Sequence, residues 1–269
     1  MSKSAAVLGS PISHSLSPLI HNHAYRLLNY PATYKAIEVR SGELERFLQA
    51  QLSNPDLVGF SLTMPLKEEV TQLAESLVEI DSRSKTINSA NTIYRDQGKW
   101  KATSTDVDGF VFLLRDFSFT SVSILGAGGT ARAAIAALAS RNCKIDVYRR
   151  SKTRDRSLKN SALGSQIAIK DWNECNSAWN GDLVINSIPS DQVSSIAESF
   201  NSPDIFLDAT YSPWPPMLSK LQLSSKGLLI SGLQLLAAQA VGQVALMTGL
   251  DFDADWLYSQ SVAELEKFK

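Results

Sequence analysis

Short apolar runs alternate with segments of helical spacing along most of this chain. Ala5-Ala6-Val7-Leu8 reads as a first strand, and Pro18 suits the first position of a helix to about Leu28, with Ser17 as its N-cap. A strand is expected near Tyr34 to Val39, a helix through Leu44, Phe47 and Leu48, and another strand from Leu57 to Leu62. Leu66, Val70, Leu73 and Leu77 then recur at the helical period and predict one amphipathic helix. Asn91 to Tyr94 and Lys99 to Thr103 read as two strands around an Asp96-Gln97-Gly98 turn. Such alternation predicts a mostly parallel sheet covered by helices.

From about residue 110 the pattern restarts. Ser121 to Leu125 is a strand, a glycine turn follows, and Ala131 to Ala139 is an alanine-rich helix. Further strands are expected at Lys144–Tyr148, Leu183–Asn186, Ile205–Asp208 and Leu228–Ile230, with residues 151–165 as a polar, basic loop that has room for a weak helix. The fold class is therefore α/β with two domains. Residues 107–238 are expected to form a second α/β domain, and residues 1–106 with 239–269 a mostly parallel α/β domain completed by C-terminal helices. Residues 227–250 are largely apolar, but Ser231, Gln234, Gln239 and Gln243 interrupt them. Unpaired amides are costly in hydrocarbon, so a buried helix of a soluble protein is expected there.

Composition changes this picture little. With 26 Lys+Arg against 27 Asp+Glu in 269 residues, nothing points to a nucleic-acid or membrane partner. Cys143 and Cys175 have no paired spacing, and the N-terminus has no signal-peptide pattern, so a reducing cytoplasm is the expected compartment. His14, His21 and His23 are the only histidines; they lack the further ligands a metal site needs, and no metal is expected.

Candidate chemistry concentrates in a few blocks. Ser15 and Ser17 precede a helix whose positive end suits a carboxylate. Gly126-Ala127-Gly128-Gly129-Thr130-Ala131 follows a strand and opens a helix, matching a dinucleotide fingerprint with Ala as the third small residue. The next strand ends in Arg149-Arg150-Ser151, with Lys152 and Arg154 close by. An NAD enzyme usually places a carboxylate there, whereas guanidinium groups favour the extra phosphate of NADP. Asp146 lies within that strand and is not expected to be the ribose carboxylate. Lys67 falls just after Pro65, where a helix dipole opposes its charge by roughly 0.3–1 kcal/mol and so favours loss of a proton. Asp106, at a strand end beside the domain boundary, is its candidate partner, and Asn91 enters a strand of the same domain.

Together these blocks, with Gly232-Leu233-Gln234-Leu235-Leu236-Ala237-Ala238-Gln239-Ala240, resemble the shikimate dehydrogenase family from about residue 7 to 247. The resemblance implies an NADP-binding Rossmann domain in mid-chain and a substrate domain made from both ends. It implies Lys67 and Asp106 as catalytic pair and Ser15 and Ser17 on the substrate carboxylate. Thr63, Asn91 and Gln239 would bond ring hydroxyls or the carboxylate, and Tyr211 in Asp208-Ala209-Thr210-Tyr211-Ser212-Pro213 would lie near the substrate. Gly232 would lie by the nicotinamide, and Ser187 would join the cofactor site. The implied reaction is reversible NADPH-dependent reduction of 3-dehydroshikimate to shikimate by a monomer or homodimer. A quinate or amino-analogue paralogue, and a non-catalytic NADP- or shikimate-binding sensor, remain alternatives. The chain departs from the family pattern in carrying Ser61 and Ser104 where Asn is frequent, Arg149-Arg150-Ser151 for Asn-Arg-Thr, Ser187-Ile188 for Ala-Thr, and Leu235 for Met.

Overall fold

A computed structural model describes residues 2–267. The chain begins β1 (Lys3–Gly9), α1 (Ser17–Leu27), β2 (Ala32–Glu38), α2 (Leu44–Gln51), β3 (Leu57–Leu62), α3 (Leu66–Glu69), β4 (Glu79–Ile80), α4 (Ser82–Ile87), β5 (Thr92–Asp96) and β6 (Lys99–Thr103). It continues α5 (Thr105–Leu114), β7 (Ser121–Leu125), α6 (Gly129–Leu138), β8 (Lys144–Arg149), α7 (Asp155–Ser161), β9 (Ile167–Asp171) and β10 (Leu183–Asn186). The last elements are α8 (Ser194–Ala197), β11 (Ile205–Asp208), α9 (Met217–Leu223), β12 (Leu228–Ile230), α10 (Gly232–Thr248) and α11 (Ala254–Glu266). Two compact units result: residues up to Gly109 together with those from Leu236 onward, and Phe110–Leu235.

The first unit holds a mixed sheet in the order β2-β1-β3-β5-β6-β4. β1 runs parallel to β2 and β3, whereas β5 is antiparallel to both β3 and β6. Gln97 and Gly98 both have positive φ (49° and 81°), the turn that matches strand twist in a two-residue hairpin. The continuous apolar run of β1 is explained by helices on both faces of the sheet. Ala6 and Leu8 join a core with Leu44 and Leu48 of α2, while Ala5 and Val7 join another with Ala24 of α1, Val244 of α10 and Leu257 of α11.

Several local expectations need correction. The helix expected through Leu77 stops early: α3 is one turn, a 3₁₀ turn covers Val70–Gln72, and the backbone is extended at Leu73 (ψ 152°). Leu66, Val70, Leu73 and Leu77 still pack against one core, so burial produced the spacing without a continuous helix. Ser17 is the first helical residue rather than the N-cap; Leu16 takes that place without a side-chain bond. In the basic segment 151–165, by contrast, the short helix α7 matches the weak helix expected there.

The second unit is an all-parallel sheet in the order β12-β11-β10-β7-β8-β9. Counted from β7, this is the doubly wound order, in which the strand order reverses between β7 and β10. Among the described residues no helix is long and apolar enough to cross a membrane.

His21 is fully buried on α1. Its Nδ1 bonds the Ser17 carbonyl at 2.9 Å and its ring stacks on Tyr34 at 4.0 Å. Burial lowers its pKa from 6.5 to about 4, so it folds neutral. The unfolded chain then binds more protons between those values. The resulting stabilisation, on the order of 3 kcal/mol, is complete above pH 6.5 and lost as pH falls toward 4. Replacing His21 with Gln should flatten that fall, read from urea midpoints across the window; an unchanged slope would refute the assignment.

Candidate functional site

One end of the first sheet collects four chain segments because of strand direction. β1, β3 and β6 end there, and β5 begins there, as the pairs Leu8↔Leu62, Ser61↔Thr92 and Thr92↔Thr103 require. Ser15 and Ser17 therefore follow β1, Thr63 and Lys67 follow β3, Asn91 precedes β5, and Asp106 follows β6. The packing is close: a Cβ on Gly9 would stand 2.4 Å from Thr63 Cγ2 and 2.8 Å from the Met64 carbonyl oxygen.

Lys67 Nζ donates to Asp106 Oδ2 at 2.6 Å. Asp106 lies in the first turn of α5, at the positive end of that helix. Its other oxygen, Oδ1, accepts from Asn91 Nδ2 at 2.9 Å, so the carboxylate cannot turn freely. Because α3 is a single turn, the dipole argument for Lys67 weakens and the direct ion pair is what holds it. This is the ammonium's one hydrogen bond among the described residues, and its remaining N–H groups can reach a ligand oxygen.

Asn91 is buried and uses its whole amide. Its Oδ1 accepts from Thr105 N at 2.7 Å, Thr105 Oγ1 at 3.1 Å and Thr92 Oγ1 at 3.0 Å. Its Nδ2 also donates to Gln239 Oε1 at 3.1 Å, and Gln239 Nε2 donates to the Leu236 carbonyl at 2.7 Å. Lys67, Asp106, Asn91 and Gln239 are thus one bonded cluster. Ser17 is buried and Ser15 half-buried, with Ser15 Oγ accepting from Ser17 N at 3.3 Å. No hydrogen bond joins the serines or the Thr63 side chain directly to that cluster among the described residues.

In the second unit the glycine turn lies where the strand order reverses. Gly126 has φ +113°, and a Cβ there would meet Ser187 Oγ at 2.4 Å, so only glycine lets the β7 and β10 ends approach. Ser187 Oγ donates to the Leu125 carbonyl at 2.8 Å. A Cβ on Gly128 would meet nothing within 4 Å, and α6 starts with no side-chain cap. Open space at Gly128, before a helix start without a side-chain cap, fits a dinucleotide pyrophosphate.

The basic residues separate into two roles. Arg149 is buried and bonds Asp155 (2.6 Å and 3.1 Å) and Asp171, which raise its pKa. Its expected role on the cofactor phosphate is therefore corrected: the guanidinium is already engaged by two carboxylates and braces α7 and β9 against β8. Arg150 is exposed, lies 4.8 Å from the centre of the Trp172 ring, and donates to Gln192 Oε1 and O at 2.7 and 2.9 Å. Ser151 caps the short 3₁₀ turn that contains Arg154. Asp146 pairs with Lys144 and Lys170.

Asp208, at the end of β11, accepts from Asn186 Nδ2, Thr210 N, Thr210 Oγ1 and Ser219 Oγ, and burial raises its pKa. These bonds shape the loop that carries Tyr211. A Cβ on Gly232 would stand 2.3 Å from the Thr210 carbonyl oxygen, which ties the start of α10 to the same loop. Asp155, Asp171 and Gln192 were not singled out from sequence, because only the fold brings them to Arg149 and Arg150.

Comparison with known proteins adds an independent line. Residues 7–93 match the family model described as the shikimate dehydrogenase substrate binding domain. The chain is 33% identical over 263 residues to a shikimate dehydrogenase (NADP(+)) of Prochlorococcus marinus (strain MIT 9215), covering 90% of this chain and 91% of that one. It is 30% identical to a shikimate dehydrogenase of Sulfurisphaera tokodaii, covering 97% and 96%. The crystal structure of Mycobacterium tuberculosis shikimate dehydrogenase superposes with a TM-score of 0.86 at 33% identity, covering 97% of this chain and 99% of that one.

The division between the two arginines can be checked by melting. Arg149→Met should lower the melting temperature by several degrees, since it strands two carboxylates, while Arg150→Met should leave it nearly unchanged. Equal losses in both variants would overturn the distinction.

Proposed function

Because the chain belongs to the shikimate dehydrogenase family, we propose that it interconverts shikimate and 3-dehydroshikimate with NADP(H), using Lys67 and Asp106 as its proton-handling pair. The observation that carries this reading is the Lys67–Asp106 contact locked by Asn91. When bound, the nicotinamide supplies or accepts the hydride. In the reducing direction, negative charge builds on the ring carbonyl oxygen. The Lys67 ammonium stabilises that charge and delivers its proton to the same oxygen. Asp106 keeps the ammonium in place, and the second bond of its carboxylate, from Asn91, prevents it from swinging away.

Ser15 and Ser17 hold the substrate carboxylate, and Thr63, Asn91 and Gln239 bond the ring substituents. Residues Gly126 to Ala131 hold the pyrophosphate, Ser187 flanks it, and Gly232 lies by the nicotinamide. Arg150 and Arg154 take the NADP phosphate without Arg149. A flat guanidinium backed by Trp172 presents its free edge to a phosphate at little cost in side-chain entropy. The free thiols of Cys143 and Cys175 fit a cytoplasmic setting.

Nicotinamide absorbance with shikimate or quinate against NADP⁺ or NAD⁺ tests the whole reading. Turnover should be fastest with shikimate and NADP⁺; a folded protein inactive with every pair would refute it. Lys67→Ala should lose roughly 10²–10⁴-fold in turnover, the scale of one acid–base group. Arg150→Ala should raise KM for NADP⁺ about tenfold, on the order of one charge-assisted bond, with KM for NAD⁺ little changed. Equal effects on both cofactors would move the phosphate site elsewhere.

A further inference from the structure

The bonded cluster around Asn91 has a second support behind it that neither the sequence motifs nor the proposed chemistry uses. On β3, Phe60 and Leu62 join one core, and Ser61 between them faces the opposite side of the sheet. There Ser61 Oγ accepts from Tyr34 Oη–H at 2.6 Å and donates to Gln243 Oε1 at 2.8 Å. Gln243 Nε2 then donates to the Asn91 carbonyl at 3.3 Å and to Thr92 Oγ1 at 3.2 Å. Tyr34, Ser61, Gln243, Asn91 and Thr92 are all buried, and the Tyr34 ring is held by its stack on His21.

The direction of donation matters. Gln243 is a symmetric-looking amide that could enter this space either way round. Tyr34 presents a phenol hydrogen, which makes Ser61 an acceptor on that side and leaves the serine hydrogen for Gln243. The amide must then offer oxygen to Ser61 and nitrogen to Asn91 and Thr92. Thr92 in turn gives its hydrogen to Asn91 Oδ1 at 3.0 Å. Gln243 thus fixes Asn91 through its backbone carbonyl and, by way of Thr92, through its side chain. Gln239, one turn earlier on α10, accepts from Asn91 Nδ2.

We infer that Tyr34, Ser61 and Gln243 form a one-way hydrogen-bond relay that positions Asn91, and through it Asp106 and Gln239, for substrate. They are positioning residues and touch no reacting atom. This inference rests on the function proposed above. It assigns a task to Ser61, the departure from the family's frequent Asn: the shorter side chain is met by an amide delivered from α10.

Steady-state kinetics of the full chain, Gln243→Leu and Tyr34→Phe test it, with KM for shikimate and for NADP⁺ measured separately and melting temperature alongside. Gln243→Leu should raise KM for shikimate about tenfold and lower kcat, with KM for NADP⁺ unchanged. Tyr34→Phe removes one oxygen and keeps the ring stack, so it tests the relay in a variant that retains the packing. It should move the same two parameters in the same direction by about threefold. Combining both should cost less than the product of the two effects, because they act on one chain of bonds. Active wild type with both variants unmoved, or with both cofactor and substrate KM moved together, overturns the relay alone. Wild type inactive toward shikimate overturns the proposed function and the relay with it.

Discussion

Everything at the active end of the first sheet depends on satisfying one buried amide. Asn91 sits buried where β3, β5 and β6 come together, so its amide must find partners within the protein. Its oxygen therefore takes the first N–H of α5, which sets where that helix begins and hence where Asp106 stands. Its nitrogen is shared between Asp106, 15 residues away in the chain, and Gln239, 148 residues away. An unsatisfied amide here would cost as much as several surface ion pairs contribute, so the cluster holds as a unit.

That arrangement gives Lys67 a fixed partner without neutralising its use. With one carboxylate contact among the described residues, the Lys67 amine is anchored and has N–H groups left to donate elsewhere. The half-buried setting strengthens the pairing relative to a surface ion pair, since side-chain exposure is 19% for Lys67 and 8% for Asp106. The second unit follows the same principle with different groups. Arg149 is held by two carboxylates and builds the end of β8, while the exposed Arg150 beside it lies over the Trp172 ring. Adjacent residues of one type thus differ in setting: Arg149 closes β8 in a buried pairing, and Arg150, just past the strand end, is exposed.

Close backbone approach is the second recurring constraint. Gly126 lets Ser187 come against the end of β7, and Gly232 lets α10 start against the Thr210 carbonyl. Both lie in loops at the carboxyl ends of parallel strands, where an open doubly wound sheet binds its ligand. Gly9 does the same in the first unit, bringing β1 against Thr63.

Much of this was legible in the sequence. Apolar runs of strand length located the principal strands, because a sheet covered on both faces needs uninterrupted hydrophobic residues. Gly126 to Ala131 stood out by glycine spacing between a strand and a helix, and Lys67 and Asp106 were expected as partners, which the 2.6 Å contact between them matches. The helix through Leu77 was misread because buried leucines at helical spacing serve equally well in a turn and an extended segment packed on one core. What only the tertiary structure decided was partnership. Arg149 and Arg150 look alike in sequence, and Gln243 looks like an interruption in an apolar helix, until folding sets Asp155 and Asp171 beside the one and Ser61 and Asn91 beside the other. The local pattern determines which face a residue occupies; a hydrogen bond between residues 182 positions apart, such as Ser61 to Gln243, exists only once the sheet and helix have packed.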